Sequence, residues 1–260
     1  MKPFPMQSAN WRSYVRKIPA LPAMVARRVT RRPCKGYSSA RPFFEDKYGL
    51  EIGGPSPIFR QNELIPVYDL CKLIDDCNFS SHTIWTSSDE TQQFGRRLGR
   101  QFVAEALDLR EIAGSTYDFV LASHVLEHLA NPLRALEEWK RVLTDKGMLV
   151  LVVPHKGGTF DHRRPYTKFE HIEQDYLQNR SEDDLTHLDE ILSMHDLGLD
   201  RPAGSFAEFR ERCLRNASVR AMHHHVFNPE TLNRMFKRVG LTTLGVVIEK
   251  PEHVIAFARV

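Results

Sequence analysis

The sequence predicts an α/β protein with a mostly parallel β-sheet and helices on both faces, and three stretches of the chain indicate it. Residues 48–57 read as a short apolar strand that ends in Gly53 and Gly54. Residues 117–154 read as strand, helix and strand with short connections, the pattern of a right-handed parallel crossover. Residues 242–260 read as two strands joined by Lys250, Pro251 and Glu252, a hairpin that would complete the sheet.

The first predicted strand, residues 49–52, carries one carboxylate, Glu51, among apolar side chains. Gly53 and Gly54 have no Cβ, so a ligand can approach the main chain closely, and Pro55 turns the chain out of the strand. The stretch therefore predicts a nucleoside-binding turn in which Glu51 faces a cationic group. A plain turn remains the alternative, because paired glycines are common in turns of every kind.

The second strand is predicted at residues 70–75, a helix at 87–98 and the third strand at 101–107. Asp75 and Asp76 lie about 20 residues beyond the paired glycines, where nucleotide-binding α/β domains place an acid on the ribose hydroxyls. The spacing favours Asp75. A solvated turn is the alternative reading of the two acids.

The fourth strand is predicted at residues 119–122, a continuous apolar run typical of a strand buried on both faces. Because open α/β sheets bind ligands at the carboxyl ends of their strands, we expect Ser123 and His124 to line a cofactor cleft. Residues 124–128 also match the zinc-peptidase pattern H-x-x-E-H, which needs one long helix. A strand precedes His124, and Asn131 and Pro132 start the next helix, so the peptidase interpretation is disfavoured.

Four stretches, once placed in order, resemble the motifs of class I S-adenosylmethionine-dependent methyltransferases, in particular the type 11 group. They are GLEIGGPSP at 49–57, ALDL at 106–109, YDFVLASHVLEHLANP at 117–132 and the pattern LxDKGxLVLxVP at 143–154. Pro55 and Ser56 stand where the family commonly has glycine. The resemblance covers residues 48–154 and 228–260.

The resemblance implies a Rossmann-like seven-stranded sheet with its last strand antiparallel, and S-adenosylmethionine as cofactor. It implies that Asp108, with Leu109 beside it, faces the adenine amino group. The full set of predicted cofactor-binding residues is Glu51, Gly53, Gly54, Pro55, Asp75, Asp76, Asp108, Leu109, Ser123 and His124.

Residues 155–226 are long, polar and rich in histidine, and they predict a cap inserted after strand five, over the substrate. Arg163 and Arg164 suit a carboxylate or phosphate on the acceptor, because guanidinium groups pair with such anions bidentately. Imidazole titrates near neutrality, so His155 or His162 is predicted as the catalytic base. Asp161 and His223 complete the predicted acceptor contacts.

The His and Asp residues of the cap allow other interpretations. They can cap helices and satisfy buried carbonyls, or several can converge on a metal ion. Their spacing is irregular, so no metal ligand is assigned. A metal-assisted enzyme on the same fold and a non-catalytic nucleoside-binding module remain the alternative functions.

The charge is distributed unevenly. Residues 1–44 hold ten Lys or Arg and no acid, whereas the remaining 216 hold 26 basic and 33 acidic residues. We predict an N-terminal arm, 1–44, that packs over its own domain, contacts an anionic membrane surface or an acidic partner, or serves as a transit peptide. The basic residues match no nucleic-acid recognition module. No apolar run is long enough to span a bilayer.

Four scattered cysteines, without a CxxC pair, favour a reducing cytoplasm. Residues 45–260 are predicted to form the catalytic domain, with the cap at 155–226. Its predicted activity is methyl transfer to a small polar acceptor, most plausibly a hydroxyl of a sugar or other secondary metabolite. The sequence does not indicate the oligomeric state.

Overall fold

A computed structural model describes residues 32–81 and 96–260. In these ranges seven strands form one sheet: β1 (Tyr48–Ile52), β2 (Leu73–Asn78), β3 (Leu98–Val103), β4 (Tyr117–Ser123), β5 (Leu143–Pro154), β6 (Thr242–Glu249) and β7 (His253–Arg259). The strand order is β3-β2-β1-β4-β5-β7-β6.

The five strands β1 to β5 run parallel, and β7 pairs antiparallel with both β5 and β6. The predicted seven-stranded sheet with an antiparallel last strand is therefore confirmed. The order reverses between β1 and β4, where the chain has built one half of the sheet and returns to build the other. That reversal opens a crevice at the carboxyl ends of β1 and β4, the place where open α/β sheets bind ligands.

Alternate side chains of β4 enter two different cores, as a strand buried on both faces requires. Val120 and Ala122 join one hydrophobic core. Phe119 and Leu121 join the other. Strand β5 behaves in the same way, which explains why its sequence reads as a continuous apolar run.

The described helices are α1 (Tyr37–Ala40), α2 (Pro132–Val142), α3 (Phe169–Leu177), α4 (Leu188–Met194), α5 (Phe206–Leu214), α6 (Asn216–Val219) and α7 (Pro229–Arg238). Helices α2 and α7 cover the first core. Short helical turns of residues 34–71 cover the second. None of the described helices has the length and hydrophobicity that crossing a bilayer would need.

Both predicted helix starts are confirmed by their caps. The side chain of Asn131 accepts a hydrogen bond from the backbone N–H of Arg134, and Pro132 is the first helical residue. Asn228 accepts from the N–H of Thr231 in the same way. Sequence reasoning placed these helices correctly because the capping residues are local signals.

Three predicted boundaries are wrong. Strand β2 begins at Leu73 rather than residue 70, because the N–H groups of Leu70 and Cys71 turn back to the carbonyl of Val67. Strand β3 begins at Leu98 rather than residue 101. Strand β5, which the apolar run predicts at residues 148–153, begins at Leu143, directly after α2. The helix predicted at 87–98 lies mainly outside the described residues.

The polar segment between β5 and α7 contains helices α3 to α6, and its own small core is formed around Ile191, Phe209 and Cys213. Its two ends meet, since Pro154 and Lys156 line the same water-sized space as Val226 and Phe227. The boundaries of the cap, 155–226, and of the arm, 1–44, remain predictions. Residues 1–31 of the arm lie outside the described part.

Candidate functional site

The glycine turn lies at the end of β1, and Gly53 has a left-handed backbone with φ of +74°. A Cβ at Gly53 would lie 2.4 Å from Cγ2 of Val125, the second residue after β4. The left-handed backbone and the close approach of Val125 both require glycine at this position. Gly53 is exposed, so its main chain is available at the crevice between β1 and β4.

Glu51 is fully buried beneath this turn. Its Oε1 accepts a hydrogen bond of 2.8 Å from the backbone N–H of Ser56, and its Oε2 accepts one of 2.8 Å from the hydroxyl of Tyr68. A Cβ at Gly54 would lie only 2.3 Å from Cδ of Glu51. Gly54 is therefore needed so that the turn can lie on the carboxyl group, and the prediction that Glu51 binds the cofactor is wrong.

The cation that faces Glu51 is Arg96 of the protein itself. Its Nη1 lies 3.2 Å from Oε2 of Glu51, and Nη1 and Nη2 donate to the two carboxylate oxygens of Asp76 at 2.5 and 2.6 Å. Burial raises the pKa of Glu51, with a further contribution from the Asp76 carboxylate, and Arg96 opposes the rise. Asp76 is thus a partner in a buried ion pair and not, as predicted, a cofactor contact.

Asp75 also has an internal role. Its Oδ2 accepts a hydrogen bond of 2.7 Å from the hydroxyl of Tyr117, and its Oδ1 accepts one of 2.7 Å from the N–H of Arg100. Because β2 starts later than predicted, Asp75 lies inside the strand and Asn78 stands at its carboxyl end. Asn78 donates to the carbonyl of Gly54 at 3.1 Å, which joins the ends of β1 and β2. The ribose role predicted for Asp75 is wrong.

Asp108 lies in a turn after β3, part-exposed, and pairs with Arg110, whose Nε donates to its Oδ1 at 2.9 Å. The contact predicted between Asp108 and adenine remains a prediction. Leu109 is fully buried in the first core, and its N–H donates to Glu138 at 2.9 Å. Leu109 is therefore a packing residue, which corrects the predicted cofactor contact.

Glu105 is an acid that sequence reasoning missed at this edge. It lies two residues beyond the end of β3, and it accepts a hydrogen bond of 2.8 Å from Nη2 of Arg220. The guanidinium of Arg220 also lies 5.5 Å from the centre of the Phe79 ring, just after β2. Arg220 thus holds the cap against the ends of β2 and β3. The sequence analysis missed this contact because it predicted β3 to run to residue 107, which places Glu105 inside the strand.

Ser123 and His124 lie at the end of β4, as predicted, and both are part-exposed. His124 has φ of +56°, a strained backbone for a residue other than glycine, of the kind that clusters at active sites. Its Nδ1 lies 3.5 Å from Oε1 of Glu127, and its Nε2 lies 3.0 Å from Nδ1 of His253. The His124 side chain is 38% exposed, whereas Glu127 behind it is 1% exposed.

Glu127 is the second site residue that the sequence analysis did not assign. Both of its carboxylate oxygens are buried without a hydrogen-bond partner. Burial raises the pKa of Glu127 to about 7, although the neighbouring His223 opposes the rise. Ligand atoms of Glu127, His128 and His223 lie within 4.8 Å of one another. A carboxyl group that titrates near neutrality among imidazoles is suited to proton transfer.

His223 comes from the far end of the cap. Its Nδ1 lies 2.5 Å from Oδ2 of Asp161, and Asp161 also accepts a hydrogen bond of 2.9 Å from Arg164. Burial alone would lower the pKa of His223, but the Asp161 carboxylate more than offsets it, so the pKa is raised. Asp161 is buried against these two partners, so the predicted contact between Asp161 and the acceptor is wrong.

Arg164 is fully buried, and its guanidinium is satisfied inside the cap. Besides Asp161, it donates to Glu190 at 2.8 Å and to the carbonyls of His223 and His224 at 2.9 and 3.2 Å. No exposed N–H is left to hold an anionic acceptor. The acceptor-binding role predicted for Arg164 is therefore wrong, and the residue organises the cap instead.

His162 and Arg163 lie on the cap surface, where both contact the same oxygen of Asp196 at 2.9 Å. His155 follows β5, with Nδ1 3.2 Å from the carbonyl of Pro251. None of these contacts brings His155, His162 or Arg163 to His124. Their catalytic and acceptor-binding roles stay predictions, and the geometry favours other residues.

Comparison with known proteins identifies the family to which the chain belongs. Residues 25–246 match the family described as a methyltransferase domain. The chain belongs to that family. It is an S-adenosylmethionine-dependent methyltransferase, which confirms the predicted enzyme class and cofactor. No curated protein matches the chain.

Solved methyltransferase structures are similar to this chain at low identity. One from Aquifex aeolicus is 12% identical, with 85% of this chain and 87% of that chain aligned and a TM-score of 0.44. One from Mesorhizobium loti is 11% identical, with 86% and 95% aligned and a TM-score of 0.48. The Burkholderia thailandensis 1,6-didemethyltoxoflavin-N1-methyltransferase, with its acceptor and S-adenosylhomocysteine bound, is 11% identical, with 94% and 90% aligned and a TM-score of 0.46.

The methyltransferase's own residues fit a nucleoside cofactor at the crevice. The exposed main chain of Gly53, with Pro55 beside it, and the part-exposed Asn78 and Ser123 are the groups that would hold it. The cofactor roles predicted for Gly53, Pro55, Ser123 and His124 are consistent with these positions and remain untested. Gly54 supports the turn from below, since it is buried against Glu51.

Proposed function

We propose that this methyltransferase acts on a hydroxyl group of a small, neutral, polar acceptor, such as a sugar or another secondary metabolite, and that His124 receives the hydroxyl proton. The observation that carries the proposal is the part-exposed imidazole of His124 directly after β4, backed by the buried carboxyl group of Glu127 at 3.5 Å. His128 and His223 also lie near this carboxyl group, but His124 is the residue that directly follows β4.

Neither arginine predicted to bind an anionic acceptor lies free at the end of β4, which favours a neutral acceptor. Of the two arginines that could have bound a carboxylate or phosphate, Arg164 is buried and satisfied. Arg163 shares Asp196 with His162 on the surface. A hydroxyl group needs a hydrogen-bond acceptor rather than a cation, and His124 and Glu127 supply one.

The chemistry requires alignment and removal of one proton. When bound, S-adenosylmethionine supplies an activated methyl group, so the protein mainly positions the acceptor oxygen behind the methyl carbon. Gly53, Asn78 and Ser123 would hold the cofactor, which would supply the methyl group of the new C–O bond and leave as S-adenosylhomocysteine when its C–S bond breaks. The hydroxyl proton passes to Nε2 of His124, in place of the present contact with His253, and Glu127 stabilises the imidazolium through Nδ1.

The test separates cofactor binding from turnover. Calorimetry with S-adenosylmethionine and S-adenosylhomocysteine is followed by a homocysteine-release assay with a panel of sugars, polyols, carboxylates and phosphate esters. We expect H124N and E127Q to bind S-adenosylhomocysteine like the wild type and to lose about 10²- to 10⁴-fold in turnover. R163Q, a surface variant, should lose neither.

Three results would contradict the proposal. One is undetectable binding of both nucleosides at millimolar concentration. Another is a parallel loss of cofactor binding and turnover in E127Q, which would assign Glu127 to structure alone. The third is a product whose new methyl group mass spectrometry places on nitrogen or carbon, or turnover confined to anionic acceptors.

A further inference from the structure

We propose that the cap contains a binding site for a divalent transition metal of the zinc class, with His171, Asp175 and His187 as its ligands. The site lies between helix α3 and the start of α4. It is separate from the His124 and Glu127 pair, and the inference does not depend on the proposed acceptor.

The three side chains converge on one point. Nε2 of His171 lies 3.0 Å from Nε2 of His187 and 3.3 Å from Oδ2 of Asp175. All three ligand atoms lie within 4.8 Å of one another. Zinc–nitrogen bonds of about 2.0–2.1 Å in a tetrahedron place neighbouring ligand atoms about 3.3 Å apart, so the two distances match a shared ion.

Helix geometry explains how two of the ligands meet. His171 and Asp175 are four residues apart on α3, so they share one face of the helix. His187 directly precedes α4 as its cap residue and approaches from the opposite side. A metal ion would therefore join the two helices, which are linked by residues 178–187.

The carboxylate supplies the second, independent observation. Asp175 is 3% exposed, and its Oδ2, the oxygen that faces the two imidazoles, is buried without a hydrogen-bond partner. A buried carboxylate oxygen without a partner is costly, and buried charges are paired or coordinate metals. The main chain of Asp175 is fixed, since its carbonyl accepts from Arg180 at 2.9 Å and from Asn131 at 3.4 Å.

Two imidazoles and one carboxylate are a ligand set that suits zinc and its neighbours rather than magnesium or calcium. The fourth position remains for water or another ligand. His225 lines the site, but its Nε2 is 3.9 Å from Oδ2 of Asp175 and 3.4 Å from the carbonyl of Ala130, so we leave it outside the ligand set. His171, whose side chain is 37% exposed, leaves a path for the ion.

The metal ion would stabilise the position of the cap segment that carries His223. The His187 ring lies 5.4 Å from that of His225, which is two residues from His223 at the acceptor side. Fixing α3 against α4 therefore fixes the segment that delivers His223. The sequence analysis assigned no metal ligand because the His and Asp residues of the cap are irregularly spaced. The pattern that marks the site is the pair His171 and Asp175, four residues apart, followed by His187.

The experiment measures metal content and needs no substrate. The full chain, carrying a tag without histidine, is produced in zinc-replete medium and analysed by plasma mass spectrometry. We expect about one equivalent of zinc in the wild type and at least tenfold less in H187Q and D175N. After removal of zinc by a chelator, Co²⁺ titration should give visible ligand-field bands that the two variants lack.

Two control variants keep the inference falsifiable. H162Q removes a histidine that pairs with an aspartate at 2.9 Å without a second imidazole, and it should retain the metal. E127Q should also retain it, because a loss there would place the ion on Glu127, His128 and His223. Wild-type protein that carries no more zinc than H187Q, or that shows no cobalt spectrum at millimolar Co²⁺, overturns the assignment whatever the folding of the variants.

Discussion

The buried ion pair beneath the glycine turn gives the sharpest prediction. In R96Q the two carboxyl groups of Glu51 and Asp76 would remain buried without their cation. Arg96 has a side chain that is 1% exposed and makes contacts of 2.5, 2.6 and 3.2 Å to the two acids. Removing one partner of such a pair costs about 3–5 kcal/mol. At about 2 °C per kcal/mol for a chain of this size, we expect a melting temperature lower by roughly 6–10 °C.

The deficit should depend on pH in a defined direction. Burial and the Asp76 carboxylate together raise the pKa of Glu51 to about 7, against the opposing effect of Arg96. A pKa raised in the folded state means that stability is lost as the pH rises from the unfolded value towards the folded one. Without Arg96 this loss is larger and extends above pH 7, so the deficit of R96Q should be small at pH 5 and largest at pH 8.

Thermal melts of the wild type and R96Q at pH 5, 6, 7 and 8 measure both effects. R110Q is the matched control, since Arg110 is 82% exposed and pairs with the part-exposed Asp108, and its melting temperature should equal that of the wild type. A cost below about 1 kcal/mol at pH 8 would show that the Glu51, Asp76 and Arg96 cluster does not hold the turn. A deficit that stays constant with pH would refute the electrostatic account.

Three further predictions concern the turn, the last helix and the cap. G53A should lose at least about 1 kcal/mol in the free energy of unfolding, because Gly53 has a positive φ and a Cβ there would contact Val125. Calorimetry should show that G53A binds S-adenosylhomocysteine more weakly than the wild type. G245A is the control, because a Cβ at Gly245 would meet open space. N228A should cost about 0.5–2 kcal/mol in urea unfolding, because the N–H of Thr231 loses its cap. Burial would raise the pKa of Asp200, but its charged neighbours lower it overall, so stability should fall as the pH drops below about 4. D200N should lack that acid-dependent fall in melts between pH 3 and 5.

The sequence correctly predicts those elements of the fold that a local residue pattern specifies. The apolar run of β4, the caps at Asn131 and Asn228 and the closing hairpin each carry their own pattern, and the structure has all of them. The start of β2 was misplaced because its boundary depends on a turn closed by the carbonyl of Val67. No local residue pattern predicts the hydrogen bonds to the Val67 carbonyl.

The candidate site was harder to predict, and acids show why. Glu51, Asp75 and Asp76 have the residue type and spacing of cofactor ligands, yet their partners are Arg96, Tyr117 and other groups distant in the chain. A carboxylate in a strand can face a ligand or a buried cation, and only the fold decides between them. Gly53 and His124 lie directly after β1 and β4, where the sequence predicts them, and their roles stay predictions.

The meeting of the two ends of the cap segment has a consequence for engineering. Because the chain leaves the sheet after Pro154 and returns at Val226 and Phe227 around a single water-sized space, residues 155–226 form a contiguous cassette with neighbouring junctions. Grafting another segment of different length between these junctions would change the surroundings of His128, which contacts Met222 and His223. Such a graft should keep Phe169 and Ile172, because both side chains belong to the first core. The glycine turn and its buried charges are built entirely from residues outside the segment and need no change.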